Sequence, residues 1–253
     1  MPAAILARLV LIEARRGALP WLAAASVGAG LILGAFLGRV AITESRELQA
    51  ALVAALLRVC AVFLVAAQVA ASTSREINDK GLEQMLSLAV SRSSHYLGRL
   101  GGFAACGALI ALAFALPLLL WVPPAPLAAW AVSLACECAL VAAAALFFSM
   151  SLAQLVAAMS ATLALYFLAR SMSAVQAIAT GPLADESLAA ALARYALEAV
   201  AYVLPRLDSV TRSDWLLYGS PPPAELLSAL GAMLVYTALL AAAGLFDFHR
   251  RLP

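Results

Sequence analysis

The chain has 253 residues, 65% of them hydrophobic and only 12% charged, with a mean hydropathy of +0.97. A soluble domain of this length carries about twice that charge, so the composition argues against a water-exposed globule. The formal net charge of +2 gives no reason to expect a nucleic-acid partner.

In chain order, the first element is "LARLVLIEARRGALPWL". On a helical wheel Arg8, Glu13, Arg15 and Arg16 share one side, and Leu6, Ala7, Val10, Leu11 and Ala14 share the other. Residues 3–17 are therefore expected as an amphipathic helix lying in a membrane surface. The same residues also read as the basic start of the first span. That span is too long for a signal-peptide core, and no small-residue cleavage site closes it, so no cleavable signal is expected.

Six apolar runs follow, expected at Ala18–Gly38, Ala50–Ala71, Gly101–Val122, Leu127–Phe148, Leu152–Leu168 and Leu226–Phe246. Each is close to the roughly 20 residues that a 30 Å hydrocarbon core requires. Trp21, Trp121 and Trp130 fall at run ends, where an indole favours the headgroup layer. Cys60, Cys106, Cys136 and Cys138 all lie within apolar runs and read as reduced, buried small residues.

Within the first run Ser26, Gly30, Gly34 and Gly38 recur every fourth residue, a helix-packing face whose partner the spacing does not name. Arg58 lies near the middle of the second run and Glu137 near the middle of the fourth. Intramembrane charges are costly and mark a pairing or a polar path. These two are expected to line or gate a route, paired with each other, or to be structural, with Arg58 snorkelling outward. Cys136 and Cys138 flank Glu137, but residues two apart on a helix point about 200° from each other, which argues against a shared metal ion.

With the N-terminus inside, inner segments hold nine basic residues (Arg8, Arg15, Arg16, Arg75, Lys80, Arg92, Arg99, Arg250 and Arg251). Outer segments hold six (Arg39, Arg46, Arg170, Arg194, Arg206 and Arg212). This mild positive-inside bias sets both termini in the cytoplasm. The outer segment 171–223 contains Ser187–Leu204, apolar but interrupted by Arg194 and Glu198 and closed by Pro205. It is expected to lie in, or dip into, the outer interface. Trp215, Leu216, Leu217 and Tyr218 read as an exposed apolar cluster there, for an outer partner protein or the outer leaflet.

The loop between the second and third runs, residues 72–100, holds "SREINDKGLEQMLSLAVSRSSHYLGRL". Leu82, Met85, Leu86, Leu88 and Ala89 fall in one arc about 160° wide on a helix, with Glu83, Gln84 and Ser87 opposite. Asn78, Asp79 and Gly81 are start signals. A helix of two turns needs a surface to lie on. Lipid headgroups are one such surface, a cytoplasmic partner protein the other.

These residues resemble the loop after the second span of ABC-2 type permeases, the membrane subunits of one class of ABC exporter. Glu76, Gly81, Leu82, Glu83, Leu86, Leu88, Val90, Ser91, Arg92 and Gly98 fall on the family pattern, whereas Ala89 stands where Pro is usual and Arg99 where Lys is usual. The resemblance is specific over about thirty residues and covers the rest of the chain in layout only. It implies an all-α integral membrane fold within one permease domain, 1–253. The parts would be six transmembrane helices, an N-terminal interface helix, a cytoplasmic coupling helix and an outer helical segment before the last span. It implies ATPase docking through Glu76, Gly81, Leu82, Glu83, Met85, Leu86, Leu88 and Arg92, in a bacterial cytoplasmic membrane. The partners would be a separate ATPase subunit holding ATP and Mg, and a second permease copy or a similar permease.

The chain has no Gly-x-x-x-x-Gly-Lys-Ser/Thr loop of its own, so ATP chemistry is expected in the partner and no cofactor or metal in this chain. No His-Glu-x-x-His or Gly-x-Ser-x-Gly occurs, so an enzyme is not expected. An integral-membrane enzyme and a non-transporting anchor of an ABC complex stay as alternatives. The cargo is not legible.

Overall fold

A computed structural model describes residues 2–40, 45–78, 91–152, 154–179 and 188–251. Among these, every regular element is helical: α1 Pro2–Arg16, α2 Leu19–Val40, α3 Ser45–Asn78, α4 Arg92–Leu118, α5 Pro124–Leu152, α6 Leu155–Ala179, α7 Leu188–Val203, α8 Asp214–Tyr218 and α9 Pro223–Arg251, with a 3-10 turn at Leu207–Ser209. Three helices open on a proline, Pro2, Pro124 and Pro223. At the first helical position its fixed φ suits the helix and its missing N–H costs nothing. Ser91 caps α4, its hydroxyl accepting from the Ser94 N–H at 3.3 Å.

Six helices (α2, α3, α4, α5, α6 and α9) are long and apolar enough to cross a bilayer. With all six crossing, both termini lie on one face, called here the terminal face. The six runs are thus where the sequence places them, but their ends move. α4 starts nine residues before Gly101, because His95 and Arg99 are buried in the protein and not solvated. α6 runs on past Leu168 to Ala179, so residues 171–179 belong to a long helix and not to the outer connection. α3, at 34 residues, is about 50 Å long and extends well beyond a 30 Å hydrocarbon core.

The bundle is organised around α5, which packs against α3, α4, α6, α8 and α9. It is apolar on all sides, as a central helix must be. Ala142, Ala143, Ala144 and Ala145 are each at most 2% exposed, and their small side chains let neighbouring helices come close. Trp130, expected at the headgroups, is instead fully buried in this core, whereas Trp21 is 80% exposed. All four cysteines are free, with Cys106 and Cys138 buried.

The small-residue face of α2 finds its partner in α3. A Cβ on Gly30 would sit 3.3 Å from Val53, one on Gly34 would meet Trp121 at 2.7 Å, and one on Gly38 would collide with Gln49. Ser26 is half-buried, and its hydroxyl donates to its own helix at Leu22 O.

α1 packs chiefly on α4. Leu6, Val10 and Ala14 are buried over Gly98 and Gly102, where an added Cβ would meet Ala3 O at 2.8 Å and Val10 Cβ at 2.7 Å. The apolar stripe read from the wheel therefore rests on protein. A second stripe, Ile5, Leu9 and Ile12, stays exposed.

Candidate functional site

Two buried polar clusters stand out against the apolar bundle. The first lies on the terminal face, where α1, α3, α4 and α9 converge. Glu76 near the end of α3 forms an ion pair with Arg99 of α4, and its other oxygen is 3.3 Å from His95 Nε2. Arg99 Nη2 donates to Ser72 Oγ at 3.2 Å and to Thr73 Oγ1 at 3.5 Å. Ser72 in turn donates to Glu13 Oε2 of α1 at 2.9 Å, and Arg75 pairs with Glu13 at 3.3 Å. Arg99 also stacks over Phe103, 5.4 Å from the ring centre. His95 stacks on Phe248 of α9, and Tyr96 lies against Gly244 of the same helix.

One chain of charge-assisted bonds thus ties α1 to the end of α3 and the start of α4, with α9 packed behind. A cavity of about 320 Å³ opens beside it, lined by Leu9, Glu13, Arg75, Glu76, His95 and Arg99 among others. Of the residues the sequence singled out for docking, Glu76 belongs to this cluster and Arg92 opens α4. Gly81, Leu82, Glu83, Met85, Leu86 and Leu88 lie outside the described residues. The cluster brackets them from both sides. Arg99 and Glu13, read from the sequence as loop and surface charges, are its central members. The signal available for Arg99 was its spacing: Gly98 and Gly102 place it on a helix that another helix must approach closely.

The second cluster lies deep on the opposite side. Glu137 of α5 is fully buried and accepts from the Tyr166 hydroxyl of α6 at 2.7 Å. Its ion-pair partner is Arg170 of α6, at 3.6 Å. Arg58 does not take that place. Its Nη1 donates to Thr211 O at 2.8 Å, with Glu137 and Arg170 as electrostatic neighbours. Arg170 Nη1 donates to Leu207 O at 2.6 Å and Val210 O at 2.9 Å, and Nη2 to Thr211 O at 3.2 Å.

The two arginines therefore serve one purpose. Arg170 is nine residues from the end of α6 and Arg58 thirteen from the start of α3, so residues 207–211 reach about 14–20 Å below those helix ends. Non-helical backbone at that depth must have its carbonyls satisfied by protein, and the guanidinium groups do this. Thr211 has φ +51°, a left-handed conformation that costs a β-branched residue on the order of 1–3 kcal/mol; it turns one carbonyl toward both arginines. Within the segment 171–223, the turn after α7 is thus the part that reaches down between the long helices. Trp215 and Leu216, expected to be exposed, are buried, and only Tyr218 stands free at 89% exposure.

Comparison with protein families and with curated proteins finds no match to this chain. The class that the geometry fits is an all-α membrane protein with six long apolar helices.

Proposed function

We propose that the chain is the transmembrane subunit of an ABC-type exporter. It would couple ATP hydrolysis by a separate ATPase subunit to movement of a cargo across the cytoplasmic membrane, with the terminal face in the cytoplasm. The observation that carries the reading is the Glu13–Ser72–Arg99–Glu76 cluster, which clamps both ends of the segment resembling the permease docking loop. A push on residues 79–90 would be felt by α1, α3 and α4 together, because they share this network and breaking its buried Glu76–Arg99 pair would leave a buried charge uncompensated. Through the clamp such a push would act on two long helices at once.

Two copies, or one with a similar permease, would form the path between them. α2 and α9 are the least buried of the long helices and leave apolar side chains such as Ile32, Phe36 and Leu239 uncovered. ATP and Mg would be held by the partner alone. In the second cluster, Glu137, Arg58 and Arg170 would hold the outer turn in one position of a two-position gate.

Met85→Glu puts a charge on the apolar arc of the docking segment. Co-purification of the ATPase subunit is expected to drop at least about tenfold, equivalent to 1.4 kcal/mol, while the permease still inserts at wild-type levels. Unchanged co-purification would refute docking through this segment.

A further inference from the structure

Three helices each turn one face to the cavity of about 320 Å³ beside the terminal-face cluster, a volume at the lower end of small-molecule sites. Leu6, Leu9, Val10 and Glu13 of α1 follow i, i+3, i+4, i+7 spacing, Ser72, Arg75 and Glu76 of α3 follow i, i+3, i+4, and His95 and Arg99 of α4 are one turn apart. The wall given by α1 is apolar up to Glu13, and the walls given by α3 and α4 are polar. Leu9 lines the cavity and is also exposed, and Ile5 and Ile12 continue its stripe along the outside of α1. The apolar wall thus leads out onto an uncovered apolar strip.

The level of the cavity follows from α3. With this helix of about 50 Å centred on a 30 Å hydrocarbon core, its last 10 Å or so stands at the level of the headgroups. Ser72, Arg75 and Glu76 all lie within about 9 Å of its end at Asn78.

The polar groups are not all equally committed. Glu76 and Arg99 form a buried pair. Glu13 and Arg75 pair at 3.3 Å with side chains 40% and 64% exposed, and an exposed pair of this kind contributes little, so both can change partner at small cost. His95 is 4% exposed, and among the described residues its Nε2 makes no hydrogen bond, although Glu76 Oε1 lies 3.3 Å away. A buried nitrogen short of a partner calls for one, and the cavity is where a partner fits.

We propose that this cavity holds the headgroup of a phospholipid that carries a primary ammonium beside its phosphate, with an acyl chain along Ile5, Leu9 and Ile12. The phosphate binds Arg75 and the ammonium binds Glu13, two charge-assisted bonds in place of one exposed pair, and His95 Nε2 faces the same headgroup. The lining carries two carboxylates and two guanidiniums, which balances a zwitterion; a headgroup with negative charge alone leaves Glu13 against an anion. The site belongs to the leaflet at the terminal face, on whichever side of the membrane that face lies, and does not rest on the exporter reading.

The test is native mass spectrometry of the full chain, stripped of lipid in detergent and titrated with phosphatidylethanolamine or phosphatidylglycerol of the same acyl chains. One phosphatidylethanolamine per chain is expected, bound at least about tenfold more tightly than phosphatidylglycerol. Arg75→Gln, a change at an exposed position, should weaken it about tenfold. Leu9→Trp, which fills the cavity from α1, should abolish it. Phosphoethanolamine without acyl chains should not displace the lipid at equal concentration.

Four results would overturn the proposal: no specific lipid on the wild-type chain, equal or tighter binding of phosphatidylglycerol, affinity within twofold of wild type in both variants, or displacement by free phosphoethanolamine. Three of these are read on the wild-type chain, so a variant that fails to fold leaves them decisive. None involves the ATPase subunit, so failure here and failure of the docking reading are separable.

Discussion

Arg170→Leu is expected to destabilise the purified protein by about 3–5 kcal/mol, the cost of removing one partner of a buried ion pair. The loss would be double. Glu137, fully buried, would keep the Tyr166 hydroxyl and the more distant charge of Arg58 but lose its ion-pair partner, and the carbonyls of Leu207 and Val210 would lose the donor given by Arg170. Arg58 would still hold Thr211 O, so the outer turn should loosen without leaving altogether. Glu137→Gln should cost less, because an amide oxygen still accepts from Tyr166 and Arg170 keeps the carbonyls of Leu207, Val210 and Thr211.

Thermal unfolding in detergent, with limited proteolysis between α7 and α8, separates the two effects: Arg170→Leu should lower the midpoint and open the turn to cleavage, and Glu137→Gln should do neither strongly. If Arg170→Leu lies within about 1 kcal/mol of wild type, the turn is held by packing of Leu207, Val210 and Trp215, and the arginine is incidental. If Arg58→Ala and Glu137→Ala both leave transport intact, the cluster has no role in a polar path.

Gly102→Leu is expected to unseat α1. A Cβ there would sit 2.7 Å from Val10 Cβ and 2.9 Å from Ala7 O. Two of the nearest atoms belong to backbone, which cannot rotate out of the way. Overpacking of this kind costs about 1–3 kcal/mol where neighbours adjust; here the cheaper response is for α1 to lift. Glu13 would leave with it, taking a ligand from Ser72 and Arg75. A cysteine placed at Val10, buried at 5% exposure, should react slowly with maleimide in the parent and at least about tenfold faster in Gly102→Leu. Gly101→Leu, where an added Cβ meets nothing within 4 Å, is the control and should leave labelling unchanged. Equal labelling in both would mean that α1 does not depend on the glycine pair.

The six long helices were legible because length and hydropathy alone mark them. Their ends were not, and at the start of α4 and the end of α6 the reason is the same. Arg99 and Arg170 lower local hydropathy, yet both remain in helices because their charges are satisfied inside the protein, by Glu76 and by Glu137. A scale that assumes water as the only partner stops the helix too soon.

Glu137 and Arg58 could be found as charges in apolar runs, but not their partners, which sit 33 residues along in Arg170 and 153 residues along at Thr211. Nothing local marks Thr211: a β-branched residue at φ +51° is one the sequence argues against. Trp130 misled for the opposite reason: it lies near a helix end, but that end is covered by neighbouring helices.

The docking reading can be met head-on by a photo-activated crosslinker placed at Met85 and irradiated in native membranes, with the adduct identified by mass spectrometry. The account predicts a covalent product with a nucleotide-hydrolysing subunit, weakened when Glu76 is replaced by glutamine and absent when the crosslinker is moved to Tyr218 on the opposite face. Adducts with lipid alone, or the same protein captured from Tyr218, would contradict it.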